Sequence, residues 1–293
     1  MDNVLVLIAS PKAQALSPHQ ISAAHAQLQN AGDAHALSAH AAEIPFSAPA
    51  EGVEDMTRAA LGDAEIDIAV VRAQNRRKKI LIADMDSTMI GQECIDELGK
   101  RAGVGDRIIE ITTRAMRGEL DFEGAVRERV GLMKGLQESA IQSVIDNDLT
   151  YTPGGRELVQ TMRAHGAFTS LVSGGFTQFT DHVAGKIGFQ DHRANILNIQ
   201  NGALTGTVQE PILGRDAKVT ALNEYAAAHN LTAADVIAVG DGANDLGMLD
   251  LAGMGVALHA KPAVREAAAI RIDHAGLEAL LYLQGYHENE FSH

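Results

Sequence analysis

From residue 155 to residue 258, apolar runs of strand length alternate with amphipathic stretches of helix length. Helix 156–165 precedes strand 168–172 and helix 177–187, and helix 216–229 leads to strand 236–239, helix 244–251 and strand 255–258. A strand that returns through a helix lies parallel to its predecessor, so the pattern specifies a Rossmann-like, doubly wound parallel sheet with helices on both faces. Between these units, segments 193–199 and 203–208 flank Asn201-Gly202 and predict a hairpin.

The short apolar run Ile80-Leu81-Ile82-Ala83 opens this α/β unit. Residues 91 to 148 then carry no strand pattern, only helical stretches at 93–102, 106–117, 122–132 and 138–145. Gly103, Gly118 and Gly135 divide them, as expected of helix ends. The interruption reads as a helical cap (91–148) inserted after the first strand of a core made of 76–90 and 149–293. Residues 1–75 read as a small N-terminal α/β domain, with strands at 4–10, 34–44 and 66–72 and helices at 18–30 and 54–61. Small regulatory modules that bind amino acids look like this, and so do many others. The run Gln74-Asn75-Arg76-Arg77-Lys78-Lys79 reads as a solvated linker.

A formal charge of −14, from 38 acidic and 24 basic residues, would repel nucleic acid and anionic membranes, so neither is an expected partner. One cysteine, Cys94, leaves no internal disulfide and reads as a packed thiol. The N-terminal segment MDNVLVLIAS reads as a strand rather than a signal peptide, and a cytoplasmic location is the expectation.

Four segments sit at the carboxyl ends of these strands, the edge where open α/β sheets bind ligands. The first is Asp84-Met85-Asp86-Ser87-Thr88, two carboxylates two residues apart on leaving a buried strand. One could attack a phosphorus while the other handles protons, provided that a hard cation neutralises the anions. The second is Ser173-Gly174-Gly175, a hydroxyl and unobstructed amides at a helix start, suited to a phosphate. The third is Lys218; the fourth, Gly240-Asp241-Gly242-Ala243-Asn244-Asp245, adds two carboxylates to a cation site. Each alone has a bland reading as a solvated pair, a turn or a surface lysine. Their order and strand context are what carry weight.

In this order the segments resemble the motifs of the haloacid dehalogenase superfamily of phosphotransferases, over roughly residues 79–286. The DMDST start, Glu93, the stretch Ala115-Met116-Arg117-Gly118-Glu119 with Phe122, Glu128-Arg129-Val130, SGGF and GDGANDLGM resemble more closely its phosphoserine phosphatase family. No matched motif position departs from that pattern, while residues 1–75 lie outside it. The resemblance implies that Asp84 is phosphorylated and that Asp86 protonates the leaving oxygen and then activates water. It further implies that Asp84, Asp86 (by its carbonyl), Asp241 and Asp245 hold one Mg²⁺ per site. Ser173, Gly174 and Lys218 would hold the phosphoryl oxygens, Asn244 would order its loop, and Thr88 would fix the first loop.

The implied substrate is a small phosphorylated amino acid, O-phospho-L-serine, hydrolysed in the last step of serine biosynthesis. Glu93 and Arg129 suit its ammonium and carboxylate, and Met116 and Phe122 could close over its methylene. Against this, Met116 and Phe122 also fit cap core, and Arg129 fits a pair with a helix-surface acid. Transfer of phosphate to an alcohol such as homoserine uses the same residues. An amino-acid-sensing protein with a vestigial phosphatase unit is a third alternative. A homodimer is left open.

Overall fold

The first strand, Asn-Val-Leu-Val-Leu-Ile-Ala, has no polar face, and the computed structural model buries both of its sides. The structure describes residues 1–293 apart from the side chain of Met116, so the expected closure of Met116 over a substrate lies outside the described residues. The chain begins β1 (Asn3–Ala9), α1 (Pro18–His25), β2 (His35–Ala36), β3 (Ala41–Phe46), α2 (Val53–Leu61) and β4 (Ile66–Arg72). These strands form an antiparallel sheet in the order β2-β3-β1-β4. Because side chains alternate along a strand, Leu5, Leu7, Ile44, Phe46 and Ile68 face α1 and α2. Val4, Val6, Ile8, Ala69 and Val71 face the other way, into the apolar cluster of the rest of the protein.

Next come β5 (Ile80–Ala83) and a helical insert of α3 (Cys94–Arg101), α4 (Gly105–Met116), α5 (Phe122–Leu132) and α6 (Ser139–Asn147). Then follow α7 (Gly155–Ala164), β6 (Phe168–Phe176), α8 (Thr177–Ile187), β7 (Asp191–Asn195), β8 (Leu197–Gln200), β9 (Ala203–Val208) and α9 (Asp216–Ala228). The chain ends with β10 (Val236–Gly240), α10 (Leu246–Leu251), β11 (Met254–Leu258), α11 (Pro262–Ala267), β12 (Ile270–Ile272) and α12 (Ala279–Leu283). Six of these strands make one parallel sheet, β12-β11-β10-β5-β6-β7, as the alternation requires. Ile80 and Ile82 pack on one face with Leu222 and Leu249, while Leu81 and Ala83 pack on the other with Leu158, Val183 and Leu280. From β5 the chain moves to β6 on one side and later to β10 on the other. The loops after β5 and β10 therefore part at a switch point, which opens a crevice.

The helical insert leaves and returns through paired backbone, with Ile90 bridged to Tyr151 and the Gly91 N–H donating to the Thr150 carbonyl at 3.0 Å.

The fold departs from the expectations at three points. Segment 193–199 is not one arm of a hairpin: Arg193–Asn195 completes β7 in the large sheet, and only β8 pairs with β9. β7 is polar because it lies at the sheet edge, where Arg193 stacks over Tyr225 and His192 bonds Thr180. The hairpin turns at Asn201 and Gly202, both left-handed, as that dipeptide favours. It also bonds the insert, with the Gly135 N–H donating to Leu204 and the Glu138 N–H to Gly202, each at 2.8 Å.

Secondly, β12 and α12 carried no strong periodic signal and were not anticipated. Lastly, the basic run 74–79 is not a solvated hinge. Arg76 pairs with Glu43 and donates to two carbonyls at the end of α12, that of Leu283 (2.6 Å) and that of Tyr282 (3.0 Å), the latter shared with the Gly285 N–H. Lys78 is buried and donates to the Ala234 carbonyl, and Arg77 stacks over Tyr286. On β4, buried Asp67 accepts backbone N–H groups of Asp273 (2.7 Å), His274 and Ala275 (2.8 Å), just beyond β12. No described helix is long and apolar enough to cross a membrane.

Candidate active site

At the end of β5 the Asp84 N–H still donates to the Val239 carbonyl, so its side chain emerges at the crevice between β5 and β10. Its Oδ1 lies 2.7 Å from Nζ of Lys218, which reaches in from α9 and also bonds Asp245. All three side chains are buried. Asp84, Asp241 and Asp245 present carboxylate oxygens within 4.8 Å of one another. Buried Lys218, with the more exposed Lys261 at 3.3 Å from Asp241, still leaves the three buried carboxylates with an excess of negative charge. Burial first, and then the charge of Asp245, push the Asp84 carboxyl well above the usual carboxylate range, with Lys218 pulling the other way. Burial favours loss of the Lys218 proton, but Asp84 and Asp245 together hold its pKa above the ordinary lysine value. An all-oxygen, under-neutralised set of this kind fits a hard divalent cation.

Asp86 follows on a tight turn, Met85–Met89, in which Ser87 adopts a left-handed φ of 54°. Burial, then the nearby charge of Glu93, raise the Asp86 carboxyl to about 7, opposed by hydrogen bonding from Cys94. The Cys94 N–H reaches Asp86 Oδ1 at 3.3 Å. Thr88, fully buried, donates to Asp241 Oδ1 at 3.2 Å and so joins the first loop to the last.

β6 runs on through Ser173-Gly174-Gly175, with an irregularity in its pairing to β7 between Val172 and Phe176, and opens directly into the eleven-residue α8. Ser173 Oγ accepts the Gly175 N–H at 2.8 Å. A Cβ on Gly174 would stand 2.9 Å from the ring of Phe122, and one on Gly175 would stand 3.0 Å from both Asp86 Oδ2 and Ser173 Oγ. A side chain at either position would therefore press on Phe122, Asp86 or Ser173, the groups that line the crevice.

The last loop is just as tight. A Cβ on Gly240 would overlap Asp245, whose Oδ2 accepts the Gly242 N–H at 2.9 Å. Asn244 is half-buried beside Gly242.

The insert brings its residues to the same crevice. Glu93 precedes α3, accepts a hydrogen bond from Ser87 at 2.9 Å and lies 3.6 Å from Lys261, which also lies 3.3 Å from Asp241. Arg129 bonds only neutral oxygens among the described residues, the Ala125 carbonyl at 3.2 Å and Thr112 Oγ1 at 3.4 Å. Burial lowers its pKa, and the charges of Asp96, Glu93 and Asp86 act against that. Phe122, the first residue of α5, covers Gly174. Sequence reasoning missed Asn195 and Lys261 as parts of the site, and it gave Gly175 only as part of the phosphate segment; its contact with Asp86 needs the fold.

A family model described as haloacid dehalogenase-like hydrolase matches residues 81–250. A phosphoserine phosphatase of Streptomyces coelicolor is 43% identical over 234 residues, which are 79% of this chain and 56% of that protein. The chain thus spans little more than half the length of that relative. A phosphoserine phosphatase of Haemophilus influenzae is 43% identical over 223 residues, 75% of this chain and 71% of that protein. The crystal structure of a HAD family hydrolase from Salmonella enterica serovar Typhi is similar at a TM-score of 0.83 and 30% identity, covering 96% of this chain and 98% of its own.

Proposed function

Since this chain belongs to the phosphoserine phosphatase family of haloacid dehalogenase-like hydrolases, we propose that it hydrolyses O-phospho-L-serine to L-serine and phosphate. Asp84 attacks phosphorus and becomes an aspartyl-phosphate as the serine oxygen departs. Asp86, whose carboxyl keeps its proton up to about pH 7, hands that proton to the departing oxygen. It then takes a proton from water, whose attack on the phosphoryl group releases phosphate and restores Asp84. Ser173, the amide at Gly174 and Lys218 hold the phosphoryl oxygens, and Asn244 orders the adjoining loop.

One Mg²⁺ would be held by Asp84, the Asp86 carbonyl and Asp241, supported by Asp245. When bound, it supplies the positive charge that lets a carboxylate approach a phosphate. In this reading residues 91–148 are the cap, 76–90 and 149–293 the core, and 1–75 a separate N-terminal unit.

The observation that supports an amino-acid substrate is Arg129, a half-buried guanidinium bonded, among the described residues, only to neutral oxygens. It suits a substrate carboxylate, with Glu93 for the ammonium and Phe122 over the methylene.

The test is phosphate release with Mg²⁺ from O-phospho-L-serine, its D-isomer, O-phosphoethanolamine and 3-phosphoglycerate. The L-amino acid ester should be hydrolysed fastest, and chelation should stop the reaction. Equal rates on all four esters would remove the amino-acid assignment. A new phosphoester on adding homoserine would redirect it to phosphotransfer.

A further inference from the structure

Asn195, the last residue of β7, is buried at 2% exposure, where the sequence pattern implied only one position of a hairpin arm. Its Nδ2 donates to the Gly174 carbonyl at 2.9 Å and lies 3.5 Å from the Leu213 carbonyl, while its Oδ1 accepts the Leu213 N–H at 2.7 Å. The Leu213 donor requires an oxygen opposite it, which fixes the amide orientation and leaves the NH₂ for the two carbonyls.

We infer that Asn195 is a positioning residue that locks the Ser173-Gly174-Gly175 loop to the segment leading into the Lys218 helix. The inference rests on the reading that Ser173, Gly174 and Lys218 hold the phosphoryl group.

A peptide unit is planar, so its carbonyl and the following N–H point in opposite directions. Holding the Gly174 carbonyl on Asn195 sends the Gly175 N–H the other way, to Ser173 Oγ at 2.8 Å. Once Oγ accepts that bond, the single hydroxyl proton is left to donate to a phosphoryl oxygen. On its other side, Asn195 holds both backbone groups of Leu213, five residues before Lys218. One side chain therefore sets the hydroxyl donor and the approach of the ammonium together. Glu93 and Arg129, which face the amino-acid part of the substrate, have no bond to it.

The test is Asn195→Asp, which keeps the acceptor for Leu213 but sets an oxygen against the Gly174 carbonyl. Asn195→Ser, a smaller polar replacement, guards against failure of a buried carboxylate to fold. Inorganic phosphate is the probe, titrated by calorimetry with Mg²⁺ present, beside inhibition by L-serine and the melting temperature of each variant. A folded variant should bind phosphate about tenfold more weakly, as loss of a buried hydrogen bond implies, with L-serine inhibition unchanged. Unchanged phosphate affinity in a folded variant, or parallel weakening for phosphate and L-serine, overturns the inference. Wild-type protein that binds phosphate but neither hydrolyses phosphoserine nor responds to L-serine would instead overturn the substrate reading. The phosphate comparison would still decide the role of Asn195.

Discussion

Lys218 and Asp84 form a 2.7 Å ion pair whose side chains are only 3% and 7% exposed. The same ammonium bonds Asp245, so one cation serves two buried carboxylates while Asp241 stands close by. Lys218 is therefore as much a part of the stability of the crevice as of its chemistry.

Lys218→Met should abolish turnover and destabilise the fold, because removing one partner of a buried pair costs about 3–5 kcal/mol. The deficit should shrink as pH falls. The Asp84 pKa is already raised, so Asp84 takes up a proton readily once its cation is gone. Urea unfolding of both proteins between neutral and mildly acid pH checks this; a deficit that grows on acidification contradicts it.

Arg129→Ala should raise KM for phosphoserine by about ten- to a hundredfold, the weight of charge-assisted hydrogen bonds to a carboxylate. Its effect on O-phosphoethanolamine, which has no carboxylate, should be far smaller. Steady-state kinetics on the two esters decide the matter, and equal effects would leave Arg129 with a packing role alone.

Removing residues 1–76 should not yield a well-behaved catalytic unit. Val4, Val6, Ile8 and Val71 share an apolar cluster with Leu281, Tyr282 and Tyr286, and Arg76 ties Glu43 to the end of α12. Truncation exposes that surface, so a lower melting temperature and self-association on gel filtration are expected. A monomeric truncated protein of unchanged melting temperature would show that this packing is dispensable.

Asp67 gives a pH signature to the same junction. Burial raises its pKa although three backbone N–H groups pull it down. A carboxyl raised in the folded state contributes most below its unfolded pKa, and the contribution fades as pH rises through the folded value. Wild type should therefore gain stability relative to Asp67→Asn as pH falls from neutral towards 4. Denaturant midpoints of the two proteins across that range measure it, and a wild type that loses stability relative to Asp67→Asn on acidification is the contrary result.

The chemistry-bearing loops were legible because each couples a short buried strand to residues with few structural reasons to be there. Asp84, Ser173 and Asp241 all follow apolar runs, and those runs fix the sheet edge on which the three meet. β4, α5 and α8 were readable to the residue from their own periodicity and flanking turns. What was not legible depends on contacts between segments distant in sequence. β7, Asp-His-Arg-Ala-Asn, has no apolar alternation because it lies at an edge and is held by side-chain bonds. Arg76 looks like a linker charge until the carbonyls at the end of α12 appear beside it. Asn195 resembles a hairpin residue until Gly174 and Leu213 converge on its amide.

As the nucleophile, the Asp84 carboxylate must carry the phosphoryl group within each turnover. Protein mixed with Mg²⁺ and O-phospho-L-serine labelled in its phosphate, then quenched in acid within a turnover, should carry label on the peptide containing Asp84. The label should be lost on treatment with hydroxylamine, as an acyl phosphate requires, and Asp84→Asn should neither bind label nor release phosphate. Wild type that turns over with no label at Asp84, joined to an Asp84→Asn protein of near-normal rate, would exclude Asp84 as the nucleophile.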